Sequence, residues 1–365
     1  MMASSRSRKV KGLGLVPRLL LIGLTSCLVA SAGLSMRAAE VDGVVPFDAL
    51  EATLVTEALK LVLSIAWTVA DPPADDDDDR EEEDSESSSD RRLWLAFFPS
   101  AFLFCFVNNC RYELVRRVNP GLLAVLWNLK IVVIAGLYAL PPFRRKLRPR
   151  EWVGAAMLVV GTTTAHVSET ELSGGDTTGG LSGALMVLGL LTVTAAAGVS
   201  VEFAYKSTSR PLRQQNVVLY LEGVALNYGA RVFRCFFGGD CPHRTFAGFN
   251  AYVWLVIMVQ ASAGFCIGAI IKHVDCVAQV AADIGAVIIA TAVSTLFFGL
   301  KLDAVYLASL ALSFLALLVY YLPPDSWRAI FDALCCNNSA RASSCFFLGA
   351  AGGGGDSPGG GKTHP

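Results

Sequence analysis

Runs of apolar residues long enough to cross a bilayer recur along the whole chain, with short polar stretches between them. A membrane-spanning helix needs about 20 predominantly apolar residues. Windows of that length predict ten segments, at 15–37, 47–70, 93–115, 120–141, 151–169, 181–205, 215–237, 250–271, 276–299 and 303–322. The pattern therefore predicts an all-α membrane protein with ten transmembrane helices.

Two of these segments, the second and the seventh, are interrupted by several polar side chains. These side chains are Glu51, Glu57, Lys60, Asn216, Glu222 and Asn227. Polar groups of this kind are costly against lipid, so both helices are expected to line a cavity inside the protein.

The fourth segment carries a lysine, Lys130, near its centre. A charge at that depth costs roughly 2.5 kcal/mol or more, so it is expected to face a cavity and a partner. Asn108 and Asn109 lie inside the third segment and Asp283 inside the ninth. These polar groups predict a polar ligand held at mid-membrane depth, which makes a transporter the first hypothesis.

Composition and charge agree with this class. Hydrophobic residues make up 53% of the chain and charged residues 17%, with a mean hydropathy of +0.51. Basic residues concentrate in alternate loops, including 144–150 and 206–213, which the positive-inside rule assigns to the cytosol. Both termini are then expected in the cytosol. Cys235 and Cys241 flank a loop predicted to be lumenal, and the sequence does not decide whether they form a disulfide or remain two free thiols.

The predicted organisation has five parts. They are a cytosolic tail at 1–14, helices 1 and 2 at 15–70, an acidic disordered cytosolic loop at 71–92, helices 3 to 10 at 93–322, and a cytosolic Cys- and Gly-rich tail at 323–365. The loop is assigned as disordered because it contains runs of like charge, beginning with five aspartates from Asp75.

Ten spans divide into two halves of five, and an odd number per half makes the halves antiparallel in the membrane. A shift that aligns Asn128 with Asp283 also aligns Lys146 with Lys301 without gaps. We therefore expect two inverted five-helix repeats, with the polar centres of the fourth and ninth segments close together.

Six short motifs occur in order along the chain. They are E-x-x-K-L at 57–61, N-N at 108–109, L-x-x-L-K-I at 126–131, G-V-x-x-E-x-x-x-K at 198–206, Q-N-x-x-L-Y at 215–220 and K-x-x-D at 272–275. The ordered set resembles the nucleotide-sugar transporters of the CMP-sialic acid and UDP-galactose/UDP-N-acetylglucosamine type, within the drug/metabolite transporter superfamily. The resemblance implies a ten-helix protein of the Golgi membrane, or of the endoplasmic reticulum, that exchanges a cytosolic nucleotide sugar for a lumenal nucleoside monophosphate.

The resemblance also implies a substrate site. The residues expected to form it are Lys60, Asn108, Asn109, Tyr112, Asn128, Lys130, Tyr220, Lys272, Asp275 and Asp283. Lys130 and Lys272 are candidates for phosphate contact, because phosphate oxygens are strong acceptors for ammonium groups. Asparagine amides suit base edges or sugar hydroxyls, and the tyrosines suit stacking on the base. The resemblance, together with a cationic site that would leave Lys130 poorly compensated when empty, leads us to expect strict exchange.

Structural roles compete with these functional ones. The Glu57–Lys60 and Glu202–Lys206 spacings also suit ion pairs within one helix, and for the second pair that is the favoured interpretation. The asparagines of the third segment also suit bonding between helices. Two residues depart from the family pattern: Gln279 stands where relatives have a second basic residue, and Asp283 where they have a small or hydroxyl residue. A carboxylate there would partly neutralise Lys130.

Several functions stay open on the sequence alone. Besides a nucleotide-sugar antiporter, the alternatives are a transporter of another anionic metabolite and a membrane-embedded transferase. The span ends lack the acid–base or metal motifs of a transferase, so a non-enzyme without cofactor is expected. Asn128 following Trp127 favours a UDP-sugar (UDP-galactose or UDP-N-acetylhexosamine) over CMP-sialic acid. The expected partners are these ligands, a nucleoside monophosphate and the lipid bilayer, with no nucleic acid; a homodimer is left open.

Overall fold

The computed structural model describes residues 14–39, 47–71, 83–117, 129–140, 148–172, 180–208, 210–237, 245–298 and 304–321. Within these residues the chain forms ten α-helices and no strand. The helices are α1 (Leu15–Ala39), α2 (Ala49–Ala70), α3 (Glu83–Arg117), α4 (Lys130–Ala139), α5 (Pro149–Leu172), α6 (Gly180–Ser207), α7 (Leu212–Phe237), α8 (Ala251–His273), α9 (Cys276–Phe298) and α10 (Ala304–Tyr321). Each overlaps one of the predicted segments, which confirms the all-α prediction.

Three helices begin at polar residues whose side chains accept hydrogen bonds from the first turn. Asp48 precedes α2 and Asn250 precedes α8, each accepting from backbone N–H groups of its helix. Asp275 precedes α9 and accepts from the Ala278 N–H at 2.8 Å. The first N–H groups of a helix have no partner within the helix, so these caps fix where the helices begin.

The acidic loop predicted at 71–92 is shorter in the structure, because α3 begins at Glu83. The acidic residues of this first turn lie next to the positive end of the helix dipole, which favours helix there. The rest of the predicted loop, 72–82, and the predicted tails, 1–13 and 322–365, lie outside the described residues.

Six of the described helices are long and apolar enough to cross a membrane. The candidate spans are Val16–Met36, Ala49–Ala70, Arg91–Cys110, Leu185–Ser207, Ala251–His273 and Cys276–Val293. Helix α7 is not among them, yet its polar residues Asn216, Glu222 and Asn227 are buried between helices. The burial of these residues agrees with the expectation that the seventh segment turns its polar groups away from lipid, and the cavity that they were expected to line stays a prediction.

The helices pack in a regular set of pairs. Helix α1 packs against α8 and α9, α2 against α7 and α8, α3 against α6 and α7, and α4 against α6 and α9. A core of buried apolar side chains joins α3, α6, α7 and α8, with Phe97 edge-to-face on Tyr205 at 5.2 Å between ring centroids. Gly161 of α5 lets α10 approach closely, since a Cβ there would lie 2.9 Å from the Ser313 hydroxyl.

Candidate functional site

A buried lysine–aspartate pair joins α4 to α9. Lys130, the first residue of α4, donates a hydrogen bond from Nζ to Asp283 Oδ2 at 2.7 Å. The two side chains are only 4% and 18% exposed, respectively. This contact confirms that the polar centres of the fourth and ninth segments meet. Because the pair is neutral as a whole, Lys130 has a counter-charge before any ligand binds.

A second carboxylate, Glu202 on α6, ties α4 and α6 to the start of α9. Its Oε2 accepts from the Cys276 backbone N–H at 2.8 Å and from the Tyr138 hydroxyl. Its Oε1 accepts from Lys206 Nζ at 2.6 Å, and Lys206 also donates to the Val274 carbonyl at 2.9 Å. Glu202 therefore satisfies a helix-start N–H, and the favoured structural interpretation of the Glu202–Lys206 pair agrees with these contacts.

The charged pair on α2 lies where α2 meets α7 and α8. Lys60 Nζ is 2.5 Å from Glu57 Oε1 and lies 4.6 Å from the centroid of the Tyr220 ring, a cation–π contact. A Cβ at Gly223 would lie 3.1 Å from Glu57 Oε2, and one at Gly264 would lie 2.9 Å from Lys60 Cδ. The two glycines thus make room for the pair between the three helices.

Tyr220 was expected to stack on the base of a substrate. In the structure its ring is buried, with Lys60 on it and Phe265 edge-to-face at 5.7 Å. Stacking on a base would require Lys60 to move away from the ring.

Lys272 differs from the other two candidate lysines in its partners. Its ammonium donates to the Arg210 backbone carbonyl at 2.6 Å and to Gln215 Oε1 at 2.7 Å, both neutral oxygens. Lys130 and Lys60 each have a carboxylate instead. Among the described residues, Lys272 therefore has no carboxylate partner; it lies in the last turn of α8, close in sequence to the Asp275 cap of α9.

The remaining expected site residues lie on or after α3. Asn109 donates from Nδ2 to Asn227 Oδ1 at 3.2 Å, which links α3 to α7 as the alternative of bonding between helices requires. Asn108 is half-buried beside it. Tyr112 belongs to α3, but its side chain lies outside the described structure, and so does the whole of Asn128.

Sequence reasoning missed two ion pairs that join the start of α2 to the end of α7. Asp48 pairs with Arg234, and Glu51 pairs with Arg231 at 3.3 Å, with the Glu51 side chain only 2% exposed. We call these four residues the α2–α7 ladder. Its signal is visible in the sequence: two acids three residues apart begin the second segment, and two arginines with the same spacing end the seventh.

The two ends of the α2–α7 contact carry different chemistry. Beyond the ladder, Cys235 is disulfide-bonded; Cys241, the partner left open by the sequence, lies outside the described residues. Disulfides form and persist in oxidising compartments. At the other end, Arg213 at the start of α7 pairs with Asp71 at the end of α2 at 2.7 Å.

Comparison with known proteins identifies one family. The sequence profile of nucleotide-sugar transporters matches residues 17–321. CMP-sialic acid transporter 1 of Arabidopsis thaliana is 25% identical over 311 residues, which cover 83% of this chain and 89% of that protein. CMP-sialic acid transporter 1 of Oryza sativa subsp. japonica is 27% identical over 233 residues, 62% and 72% of the respective chains. Probable UDP-sugar transporter protein SLC35A4 of Homo sapiens is 27% identical over 303 residues, 77% and 86%.

A solved crystal structure also matches the chain, at a TM-score of 0.59. The match covers 84% of this chain and 97% of the other, at 15% sequence identity. At that identity it shows the fold alone.

Proposed function

The chain belongs to the nucleotide-sugar transporter family, and on that premise we propose that it exchanges a cytosolic nucleotide sugar for a lumenal nucleoside monophosphate by alternating access. The proposed substrate is a UDP-sugar (UDP-galactose or a UDP-N-acetylhexosamine) or CMP-sialic acid, because relatives named for each kind match the chain. The proposed location is the Golgi membrane. The family match over most of the chain is the observation that carries this function.

The buried lysines give the proposal its chemistry. A nucleotide sugar brings phosphate oxygens, which bind ammonium groups through strong, charge-assisted hydrogen bonds. In the part of the chain that the structure describes, the partners of Lys272 are neutral oxygens, so it can attract phosphate without first losing a carboxylate. Lys130 has to exchange Asp283 for phosphate. We therefore propose Lys272 as the first contact of the phosphate and Lys130 as the deeper one.

The helix pairing supports two inverted repeats. The first half is α1 to α5 and the second half is α6 to α10. When each helix is replaced by its counterpart in the other half, the α1–α8 contact becomes α3–α6, α1–α9 becomes α4–α6, and α2–α8 becomes α3–α7. All of these contacts occur, and the α2–α7 and α4–α9 contacts transform into themselves. Transporters with such repeats bind substrate where the halves meet. The Lys130–Asp283 pair belongs to one of these self-related contacts, α4–α9, which is where the proposed site lies.

The proposed orientation has cytosolic termini. In this orientation, three contacts lie together at the cytosolic end of the helices, at or beside loops that the positive-inside rule assigns to the cytosol. They are Arg213–Asp71, Lys206–Val274 and Lys272–Arg210. The disulfide-bonded Cys235 is then on the lumenal side, in agreement with an oxidising compartment.

The electrostatic reason for strict exchange needs correction. An empty site was expected to leave Lys130 poorly compensated, but the Asp283 carboxylate lies 2.7 Å from its ammonium, so this reason does not support exchange. Exchange as proposed here rests on the family resemblance.

The test is uptake by proteoliposomes that contain the purified protein and are loaded with UMP, CMP, GMP or nothing. UDP-, CMP- and GDP-sugars are offered in turn. We expect one pyrimidine nucleotide sugar to be taken up, fastest into vesicles loaded with its matching monophosphate. Equal uptake into empty vesicles would refute exchange. Failure of every nucleotide sugar would refute the substrate class and favour another anionic metabolite.

A further inference from the structure

Two groups compete for the Lys130 ammonium: the Asp283 carboxylate, which binds it in this structure, and the substrate phosphate of the proposed function. We propose that the nucleotide sugar binds together with a proton, which Asp283 takes up from solvent as the phosphate displaces it from Lys130. The inference rests on the proposed function and adds a second bound species to it.

The geometry brings the competing groups together. Lys130 is 3% exposed, so its ammonium has little room to reach a ligand away from α9. A phosphate that binds Nζ therefore comes close to the Asp283 oxygen, which lies 2.7 Å from the same atom. Two negative groups within about 4–6 Å favour protonation of the one that loses its cation. Asp283 is that group, because the phosphate takes its partner.

Among the described residues, the other charges on α9 and its neighbouring helices offer Asp283 no replacement cation. The charged and titratable groups described on these helices are Arg18 and Cys27 on α1, Lys130 and Tyr138 on α4, Glu202, Tyr205 and Lys206 on α6, Tyr252, Cys266, Lys272 and His273 on α8, and Asp275 and Cys276 at the start of α9. Lys130 is the one in contact with Asp283. Lys206 is bound to Glu202, and Lys272 to Arg210 and Gln215. From α1, the neighbouring contact is a hydroxyl, Ser26 donating to the Ala282 carbonyl.

Asp283 is also able to receive a proton. Its side chain is 18% exposed, whereas that of Lys130 is 4% exposed, so the carboxylate is the less enclosed member of the pair. An uncharged carboxyl group can remain beside the bound phosphate and donate a hydrogen bond to it, which a carboxylate cannot do. The protonated side chain thus removes a repulsion and adds a donor.

Uptake of one proton has a measurable signature. Over the pH range in which Asp283 is charged in the free protein and protonated in the complex, raising the pH by one unit should raise the apparent dissociation constant of the UDP-sugar by up to tenfold. An intact UDP-sugar is the right probe, since its diphosphate diester keeps its charge near neutrality. A nucleoside monophosphate titrates near about pH 6 and would hide the effect.

The experiment measures binding of radiolabelled UDP-galactose and UDP-N-acetylglucosamine to the purified full chain in nanodiscs, between about pH 6 and pH 8. Wild type is compared with Asp283→Asn, with the control Asp71→Asn, which removes a carboxylate that is 64% exposed, and with His273→Gln. We expect tighter binding at the acidic end for wild type and both controls. Asp283→Asn should bind with little pH dependence, and tighter than wild type at the alkaline end.

A second measurement needs no variant. In weakly buffered solution with a pH-sensitive dye, saturating the wild-type protein with the UDP-sugar should remove about one proton per bound ligand from the medium. This keeps the inference testable if Asp283→Asn fails to fold with Lys130 unpaired.

The outcomes separate this inference from the proposed function. Binding without pH dependence or proton uptake in wild type overturns the proton inference and leaves the function standing. A pH dependence that persists in well-folded Asp283→Asn, or that disappears in His273→Gln, also overturns it. If no nucleotide sugar binds at any pH, the proposed function falls and this inference with it.

Discussion

We expect Lys130→Ala to lose both transport and stability, and the two losses to have different causes. Removing one partner of a buried ion pair costs about 3–5 kcal/mol, because the remaining charge is left without a partner. Asp283 is 18% exposed, so the lower end, about 3 kcal/mol, applies here.

A double variant separates the two causes. Lys130→Ala with Asp283→Ala removes both charges, so no buried charge is left without a partner. Its stability should therefore return most of the way to wild type. Transport should stay lost, because a charge-assisted contact contributes about 1.5–3 kcal/mol to binding, or roughly 10- to 150-fold in affinity.

The assay compares thermal inactivation in detergent, followed by size-exclusion chromatography, with uptake by proteoliposomes normalised to folded protein. Arg213→Ala is the matched control, since it also removes the cation of a cation–carboxylate pair, but one whose remaining carboxylate, Asp71, is 64% exposed. Its effect on stability should be smaller, because exposed pairs contribute at most about 1 kcal/mol.

Two results would refute this reasoning. If the stability losses of the two single variants simply add in the double variant, Lys130 and Asp283 are not coupled. If the well-folded double variant transports at the wild-type rate, Lys130 does not bind phosphate.

Two further predictions concern α2 and its neighbours. Arg231→Gln should lower the inactivation temperature, because Glu51 is then a buried carboxylate without its cation; adding Glu51→Gln should restore it, and no restoration would mean that the pair is not coupled. Gly264→Ala should reduce uptake at near-normal folded yield, because its Cβ would lie 2.9 Å from Lys60 Cδ and push that side chain off Tyr220. Gly189→Ala, where nothing lies within 4 Å, is the control, and equal uptake by both variants would contradict the prediction.

The positions of the helices and the Lys130–Asp283 pair were predictable because each depends on one dominant free-energy cost. Lipid requires long apolar segments, so their positions can be read from the sequence. The cost of a buried charge requires a partner, and this led from Lys130 to Asp283 through the repeat alignment. The beginning of α3 at Glu83 was not predicted, since runs of acids are also typical of solvated loops.

Contacts between distant helices were harder to predict. The α2–α7 ladder lies at segment ends, where charges ordinarily face water. The sequence predicted that Glu51 faces the inside of the protein, but not that Arg231 is its partner. The burial of Tyr220 under Lys60 likewise depends on the angle and register between α2 and α7. Hydropathy carries no information about either quantity.

The spacing within the α2–α7 ladder has a consequence for how these two helices can move. Asp48 and Glu51 are about one turn apart on α2, as are Arg231 and Arg234 on α7. If α2 slid by one turn, about 5.4 Å, an acid from one pair would face the arginine of the other, and one ion pair would survive the step. The ladder would then favour discrete registers of α2 against α7, and neighbouring registers would differ by a single ion pair. Between two such registers there is no position in which both acids have an arginine partner.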